Sequence, residues 1–128
     1  MNRKFVDTSF LKQIVESEFA GLVKNINEPF LNELRINLKD ESFVEVWFSI
    51  NLENRYSYHW ERKDIDGSIY RHDNAPHAKW KEIETFPKHF HNKTEQNVEP
   101  SYLSDKPENA IREVMNFIQD YIENKVKA

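Results

Sequence analysis

Hydrophobic residues recur at helical spacing near both ends of the chain. In the N-terminal stretch the apolar positions are Phe10, Leu11, Ile14, Val15, Phe19, Leu22 and Val23. In the C-terminal stretch they are Ile111, Val114, Met115, Ile118 and Ile122. Apolar residues repeated every three or four positions are typical of amphipathic helices, so we predict helices over residues 8–24 and 106–125.

The segment between these helices alternates between apolar and polar residues, as half-buried strands do. This alternation predicts four strands, over residues 33–39, 43–51, 55–63 and 68–73. Turn-forming sequences lie at residues 39–42 and 64–67, where Gly67 can adopt a positive φ. Residues 80–86 are predicted to form a fifth, shorter strand, whereas residues 92–104 are polar and read as irregular.

This order of elements predicts an α+β fold. We expect an antiparallel meander sheet of four or five strands, with an N-terminal and a C-terminal helix packed on one face. The helices should cover the face that carries Val44, Val46, Phe48 and Ile50. The chain has 128 residues and shows no linker, repeat or low-complexity segment, so we predict a single domain over residues 1–128.

The composition excludes several functional classes. The chain has no cysteine, which rules out disulfides, thiolate zinc sites and cysteine nucleophiles. With only two glycines it cannot form a glycine-rich phosphate loop or a dinucleotide-binding fingerprint. No stretch is apolar enough for a secretory signal or a membrane span, so we expect a soluble, cytoplasmic protein.

Histidines are concentrated in one basic segment. Four of the five lie within residues 71–91, and residues 71–93 hold five Lys or Arg against three Asp or Glu in a chain of net charge −4. Histidine suits proton transfer and metal ligation, and a basic patch suits a phosphate backbone. Residues two apart on a strand share a face, so two of these imidazoles can point into one site. The candidate catalytic set is Arg71, Asp73, His77, His89 and His91.

Three chemistries fit this set of side chains. The first is metal-independent RNA cleavage, which needs no cofactor: one imidazole accepts the 2′-hydroxyl proton, another protonates the leaving oxygen, and a cation stabilises the phosphorane. The second is a mononuclear metal site formed by Asp73, His77, His89 and His91. In the third the histidines catalyse nothing and order an interface with a partner.

Other residues of the segment are candidates for substrate binding. Trp80 lies between two lysines and could stack on a base, and Lys79 and Lys88 could contact phosphates. The aromatic row of Tyr56, Tyr58 and Trp60 could also stack bases, but such a row more often packs under a helix. His59 and His72 read as strand-surface or sheet-packing residues.

Three motifs resemble those of the TumE-like proteins, the toxin components of type II toxin–antitoxin pairs. The matching residues are Tyr56, Tyr58, Trp60, Arg71, Asp73, Asn74, Ala75, Pro76, His77, Thr85, Phe86, Pro87, His89 and His91, and the similarity extends over about residues 55–125. Ala78 and Lys88 stand where the family commonly has histidine. The resemblance implies a growth-inhibiting protein neutralised by an antitoxin from a neighbouring gene. It does not fix a reaction, and RNA is the target expected by analogy with other small toxins.

The positions of two prolines predict where the site lies. Pro76 follows the strand that carries Arg71 and Asp73, and Pro87 shortly precedes His89. Proline lacks a backbone donor and favours strand edges and bends. We therefore expect the three candidate histidines to converge at one open edge of the sheet, with at least two imidazoles close together.

Overall fold

The computed structural model describes residues 5–127, with side chains up to residue 124. The N-terminal helix α1 covers Thr8–Glu18, and the Asp7 carboxylate caps it by accepting from the Phe10 N–H at 3.0 Å. The single-turn helix α2 covers Lys63–Asp66 and the C-terminal helix α3 covers Pro107–Lys127. Within this part of the chain, no helix has the length and apolar character needed to cross a bilayer.

The sheet is an antiparallel meander of seven strands in the order β1 to β7. The strands are β1 Val23–Asn27, β2 Glu33–Leu38, β3 Phe43–Phe48, β4 Tyr56–Arg62, β5 Ser68–Asp73, β6 His89–Lys93 and β7 Val98–Pro100. The α+β class and the meander are confirmed, but the sheet is larger than the predicted four or five strands. All four strands predicted from clear alternation are present as β2 to β5.

Three segments differ from the sequence-based prediction. Helix α1 ends at Glu18, and β1 pairs with β2 where we had predicted continued helix. The predicted strand over residues 80–86 is wrong, because local bonds from Ile83 N to Trp80 O and from Phe86 N to Ile83 O fold this segment into turns. The irregular stretch predicted for residues 92–104 contains β7, which pairs with β6.

Helices α1 and α3 pack on one face of the sheet, as predicted. The core beneath them includes Val44, Val46 and Phe48, whereas Ile50 lies beyond the end of β3 and is half-buried. The aromatic row on β4 is part of the core: Tyr56, Tyr58 and Trp60 are 7, 3 and 2% exposed, and Trp60 meets Phe117 of α3 edge to face. These rings are therefore packing residues and are inaccessible to bases.

A buried arginine, Arg62, lies at the end of β4. The Arg62 guanidinium is 5% exposed and donates to Asp40 Oδ2 at 2.6 Å and to Asp66 Oδ2 at 3.1 Å. It also lies over the Trp60 ring at 4.8 Å. Because Arg62 pairs in register with Ser68 at the start of β5, this cluster lies at the opposite end from Asp73.

Candidate functional site

The candidate residues meet on the helix-free face of the sheet, where β5 ends and β6 begins. Arg71 lies directly opposite His91, and Asp73 lies opposite His89. Strand alternation places these four side chains on one face, while Phe90 between the two histidines contacts Phe117 on the helix-covered face. The predicted open edge is wrong, because β7 pairs with β6 and covers its outer side.

Asp73 is the centre of the site. Its Oδ1 lies 3.1 Å from His89 Nε2 and accepts from the Ala75 N–H at 3.0 Å, while its Oδ2 lies 3.6 Å from His91 Nε2 and 3.2 Å from Arg71 Nε. Burial alone would raise the pKa of Asp73, but the hydrogen bonds from both imidazoles and the backbone outweigh burial and hold the pKa well below its usual range. Asp73 is therefore a carboxylate at neutral pH. We call Asp73, His89 and His91 the Asp73 cluster.

Backbone carbonyls orient both imidazoles. His89 Nδ1 lies 2.9 Å from the Pro87 carbonyl oxygen, and His91 Nδ1 lies 2.9 Å from that of Glu95. A carbonyl only accepts, so each Nδ1 carries a proton; a ring that also donates from Nε2 to Asp73 is an imidazolium, whereas a neutral ring has its lone pair on Nε2. Burial lowers the pKa of His89, but Asp73 and the carbonyl outweigh this effect and raise it. The two rings are buried, their centroids are 5.0 Å apart, and their Nε2 atoms both face Asp73.

Glu95 is a site residue that the sequence analysis missed. Its carboxylate accepts two parallel bonds from Arg71, at 2.9 Å from Nη1 and 2.5 Å from Nη2. Glu95 lies in the turn between β6 and β7, and the conformation of that turn brings it back over β5. The only signal in the sequence is an acidic residue four positions after His91, which is too common to identify a site.

A cavity of about 350 Å³ opens above the Asp73 cluster. Its lining includes all five predicted catalytic residues, together with Lys79, Trp80 and Glu95. The Trp80 ring lies 6.2 Å from His89 and 6.1 Å from His91, centroid to centroid, so the turn after β5 folds over the two imidazoles. His77 is exposed at the rim, and its Nδ1 accepts from the Lys79 N–H at 3.2 Å.

Lys88 lies elsewhere than we predicted. Its ammonium donates to the Leu103 carbonyl and lies 3.3 Å from Asp105 Oδ1, so the side chain holds the segment before α3 and does not line the cavity. The spacing of basic residues could not reveal this, because the direction of Lys88 depends on the turns that precede β6. Lys88 therefore lies apart from the cavity that the other candidate residues line.

The two remaining histidines lie outside the cluster, as we expected. His72 packs on the helix side, stacked on Phe90 at 4.3 Å and bonded through Nδ1 to Ser101 Oγ at 2.7 Å. Burial and the nearby Lys88 charge lower the pKa of His72 to about 4, which keeps it neutral at physiological pH. His59 lies on the open face, 3.0 Å from Glu61 Oε1.

Comparison with known proteins gives one match. A family model described as "Toxin TumE" matches residues 5–122 of the 128-residue chain. The match includes β1 to β7, both long helices up to residue 122 and every residue of the Asp73 cluster. No curated protein and no solved structure matches the chain.

Proposed function

This chain belongs to the TumE toxin family, and we propose that it acts by cleaving RNA in the cavity above the Asp73 cluster. The observation that carries the proposal is the combination of groups in one cavity. A half-buried carboxylate and two buried imidazoles form its floor, and an exposed imidazole, a lysine and an indole ring form its rim.

The rim residues suit a single-stranded RNA. Trp80 presents a half-buried ring on which a base can stack, and Lys79 is an exposed ammonium beside it, 5.0 Å from the ring centroid. Arg71 lies deeper, and its two parallel donors, which Glu95 occupies in the structure, have the geometry that binds a phosphate in bidentate fashion. These three side chains could hold a nucleotide with its phosphodiester over the Asp73 cluster.

The proposed reaction is an internal transfer at phosphorus. The 2′-oxygen attacks the adjacent phosphorus and loses its proton to the Asp73 cluster, the bond from phosphorus to the 5′-oxygen breaks, and the products are a 2′,3′-cyclic phosphate and a 5′-hydroxyl. His77 accepts at Nδ1 from Lys79, so its proton in the neutral ring is on Nε2. When a second proton on Nδ1 makes the ring an imidazolium, His77 can donate the Nε2 proton to the leaving 5′-oxygen and is left as the neutral ring.

We propose further that an antitoxin from a neighbouring gene neutralises this chain. The family supports a partner of this kind in general terms. The cavity offers one simple means of neutralisation, because a partner that covers Trp80 and Lys79 would block entry of RNA.

Inducible expression followed by mapping of RNA ends tests the proposal. The parent should slow growth and accumulate RNA with 2′,3′-cyclic phosphate ends. His77→Ala should lower the rate at which these ends form by about 10²–10⁴-fold, as loss of one acid–base group does, and should slow growth less than the parent. Lys79→Ala and Lys81→Ala form a matched pair, because both lysines flank Trp80 and are exposed but only Lys79 lines the cavity. Lys81→Ala should retain full toxicity.

Two outcomes would contradict the proposal. One is growth inhibition by the parent with no new RNA ends. The other is undiminished toxicity of both single variants, His77→Ala and Asp73→Asn. In that case the segment would serve as an interface with a partner.

A further inference from the structure

Three potential metal-ligand atoms converge at the floor of the cavity. They are one carboxylate oxygen of Asp73 and the Nε2 atoms of His89 and His91, and these ligand atoms all lie within 4.8 Å of one another. We propose that the Asp73 cluster binds a divalent transition-metal ion. This inference rests on the RNA cleavage proposed above, in which a bound ion would replace the free side chains of the cluster in activating the 2′-hydroxyl, but ion binding can be measured without RNA.

The orientation of the imidazoles is the first argument for a metal. Metal-bound histidines usually donate their second ring N–H to a carbonyl or carboxylate, which fixes the tautomer and turns the free lone pair toward the ion. Here the Pro87 and Glu95 carbonyls do this for both rings, at 2.9 Å in each case. Histidines that act as separate acid and base would instead direct at least one Nε2 toward the substrate.

The distances between the ligand atoms are the second argument. Two ligand atoms bound at about 2.0–2.2 Å from zinc, at tetrahedral or octahedral angles, lie about 3.0–3.6 Å apart. In the structure Asp73 Oδ1 lies 3.1 Å from His89 Nε2, and Asp73 Oδ2 lies 3.6 Å from His91 Nε2. These two distances involve different carboxylate oxygens, and the full set of ligand atoms lies within 4.8 Å, so binding an ion would draw the two imidazoles closer around it.

The charges around the cluster are compatible with a cation. Arg71 lies 3.2 Å from the Asp73 carboxylate, and on its own it would oppose a metal there. The paired bonds to Glu95 neutralise the guanidinium, so the three side chains together carry one net negative charge. Glu95 thus leaves the charge of Asp73 available to a cation.

The ligand set indicates the class of ion. Two imidazoles and one carboxylate suit zinc, iron(II), nickel and related first-row ions, whereas magnesium and calcium prefer oxygen ligands alone. Three protein ligands also leave coordination positions open toward the cavity, as catalytic sites require. His77 is not placed as a fourth ligand, because its Nδ1 already accepts from the Lys79 N–H. The metal-dependent alternative thus needs only three of the four residues considered from the sequence.

Zinc binding tests this inference. Protein purified without a metal-affinity column should contain about one equivalent of a transition metal, and the chelated protein should bind added zinc in calorimetry. Loss of a group that only orients a metal ligand weakens metal binding about 10–100-fold. Asp73→Asn and His91→Ala remove ligands and should weaken it by at least about 100-fold, whereas His59→Asn, which removes a histidine from the same face, should bind zinc like the parent.

A measurement on the parent protein covers the case in which a ligand variant fails to fold. Nitrogen NMR of the histidine rings should show zinc-dependent shifts at two Nε2 atoms and at neither Nδ1. Absence of zinc binding by the parent, or equal binding by the ligand variants, would overturn the metal site. RNA cleavage that persists in fully chelated protein would overturn a role for the ion in that reaction while leaving the proposed ribonuclease intact. Zinc binding without RNA cleavage would keep the metal site and overturn the ribonuclease.

Discussion

Replacing Glu95 with glutamine tests whether the Arg71 guanidinium binds a phosphate of the substrate. In the structure Glu95 occupies the two donors of Arg71 that a phosphate would use, at 2.9 and 2.5 Å. Arg71 Nε remains bonded to Asp73 at 3.2 Å, so the guanidinium should keep its position without the Glu95 charge. If RNA is the substrate, as proposed, Glu95 competes with its phosphate for these two donors.

The expected effect follows from one additional phosphate contact. For single strands each contact steepens the dependence of log K on log salt by about 0.7, which corresponds to about four-fold tighter binding at about 0.15 M salt. The cost in stability should be small, because the Glu95 side chain is 45% exposed and such pairs contribute about 0–1 kcal/mol. The backbone carbonyl that orients His91 is unchanged by the substitution.

Fluorescence anisotropy over a series of salt concentrations would measure both quantities. The probe is a short 2′-deoxy oligonucleotide, which cannot be cleaved by attack of a 2′-hydroxyl. Glu99→Gln is the matched control, because it removes the same charge from β7 but its carboxylate accepts from Asn92 and not from Arg71. If Glu95→Gln binds no more tightly than the parent and has the same salt slope, Arg71 does not contact phosphate.

Three further expectations concern binding and stability. Trp80→Ala should weaken binding of the same oligonucleotide by about 1–3 kcal/mol, the contribution of one stacked base, whereas Trp47→Ala, outside the cavity, should not. Arg62→Met should lower the free energy of unfolding in urea by about 2–4 kcal/mol, because two carboxylates lose a buried cation. The same substitution at the more exposed Arg35 should lower it by under about 1 kcal/mol. Burial alone would raise the pKa of Asp40, but hydrogen bonds from its turn and from Arg62 lower it. Its stabilising effect should therefore be complete above about pH 4 and be lost as the pH falls further, with a smaller loss in Arg62→Met, as urea titrations would show.

The strands that the sequence revealed are those with one buried and one open face. Burial alternates strictly along Tyr56–Arg62 and along Glu33–Leu38, so the apolar pattern repeats every two residues. Three strands, β1, β6 and β7, were missed, and two of them lie at the edges of the sheet. Val98–Pro100 has only three residues, none of them buried, and Val23–Asn27 also has no buried residue, so neither strand shows an alternating apolar pattern.

The error over residues 80–86 has a different cause. Trp80, Ile83 and Phe86 are three positions apart, and this spacing matches their successive turn hydrogen bonds better than it matches a strand. The apolar content of the segment suggested a strand, but its apolar residues repeat every three positions and not every two, as a strand requires. Attention to period would have assigned these residues to turns and placed the next strand at His89.

The candidate site was predictable to the extent that it depends on strand geometry. Residues two apart share a face, so the pairs Arg71 and Asp73 on β5 and His89 and His91 on β6 needed only the pairing of these strands to meet. Glu95 and Lys88 lie in or beside turns, and the directions of their side chains depend on backbone dihedrals that composition does not specify. The floor of the cavity was therefore predictable from the sequence, whereas the position of Glu95 at its side was not.

Strand β6 couples the core to the site. Phe90 stacks on Tyr70 at 6.4 Å and meets α3, while His89 and His91 on either side of it point to the opposite face. A slip of one residue would place both imidazoles in the apolar core and expose the phenylalanine. The packing of one aromatic ring thus fixes the register on which the Asp73 cluster depends.

The charges on the open face of the sheet predict the direction from which the proposed RNA substrate reaches the cavity. Beyond Arg71 the surface carries Glu33, Glu45 and Glu61, and burial together with the charge of Glu45 raises the pKa of Glu33. This acidic surface repels a phosphate backbone, whereas the side of the cavity formed by Lys79 is basic. A nucleic acid bound at Arg71 should therefore extend toward the turn that carries Trp80 and Lys79, and not across β2 to β4. Chemical crosslinks from a bound oligonucleotide should fall on that turn, and crosslinks to Trp47 at the centre of the acidic face would contradict this orientation.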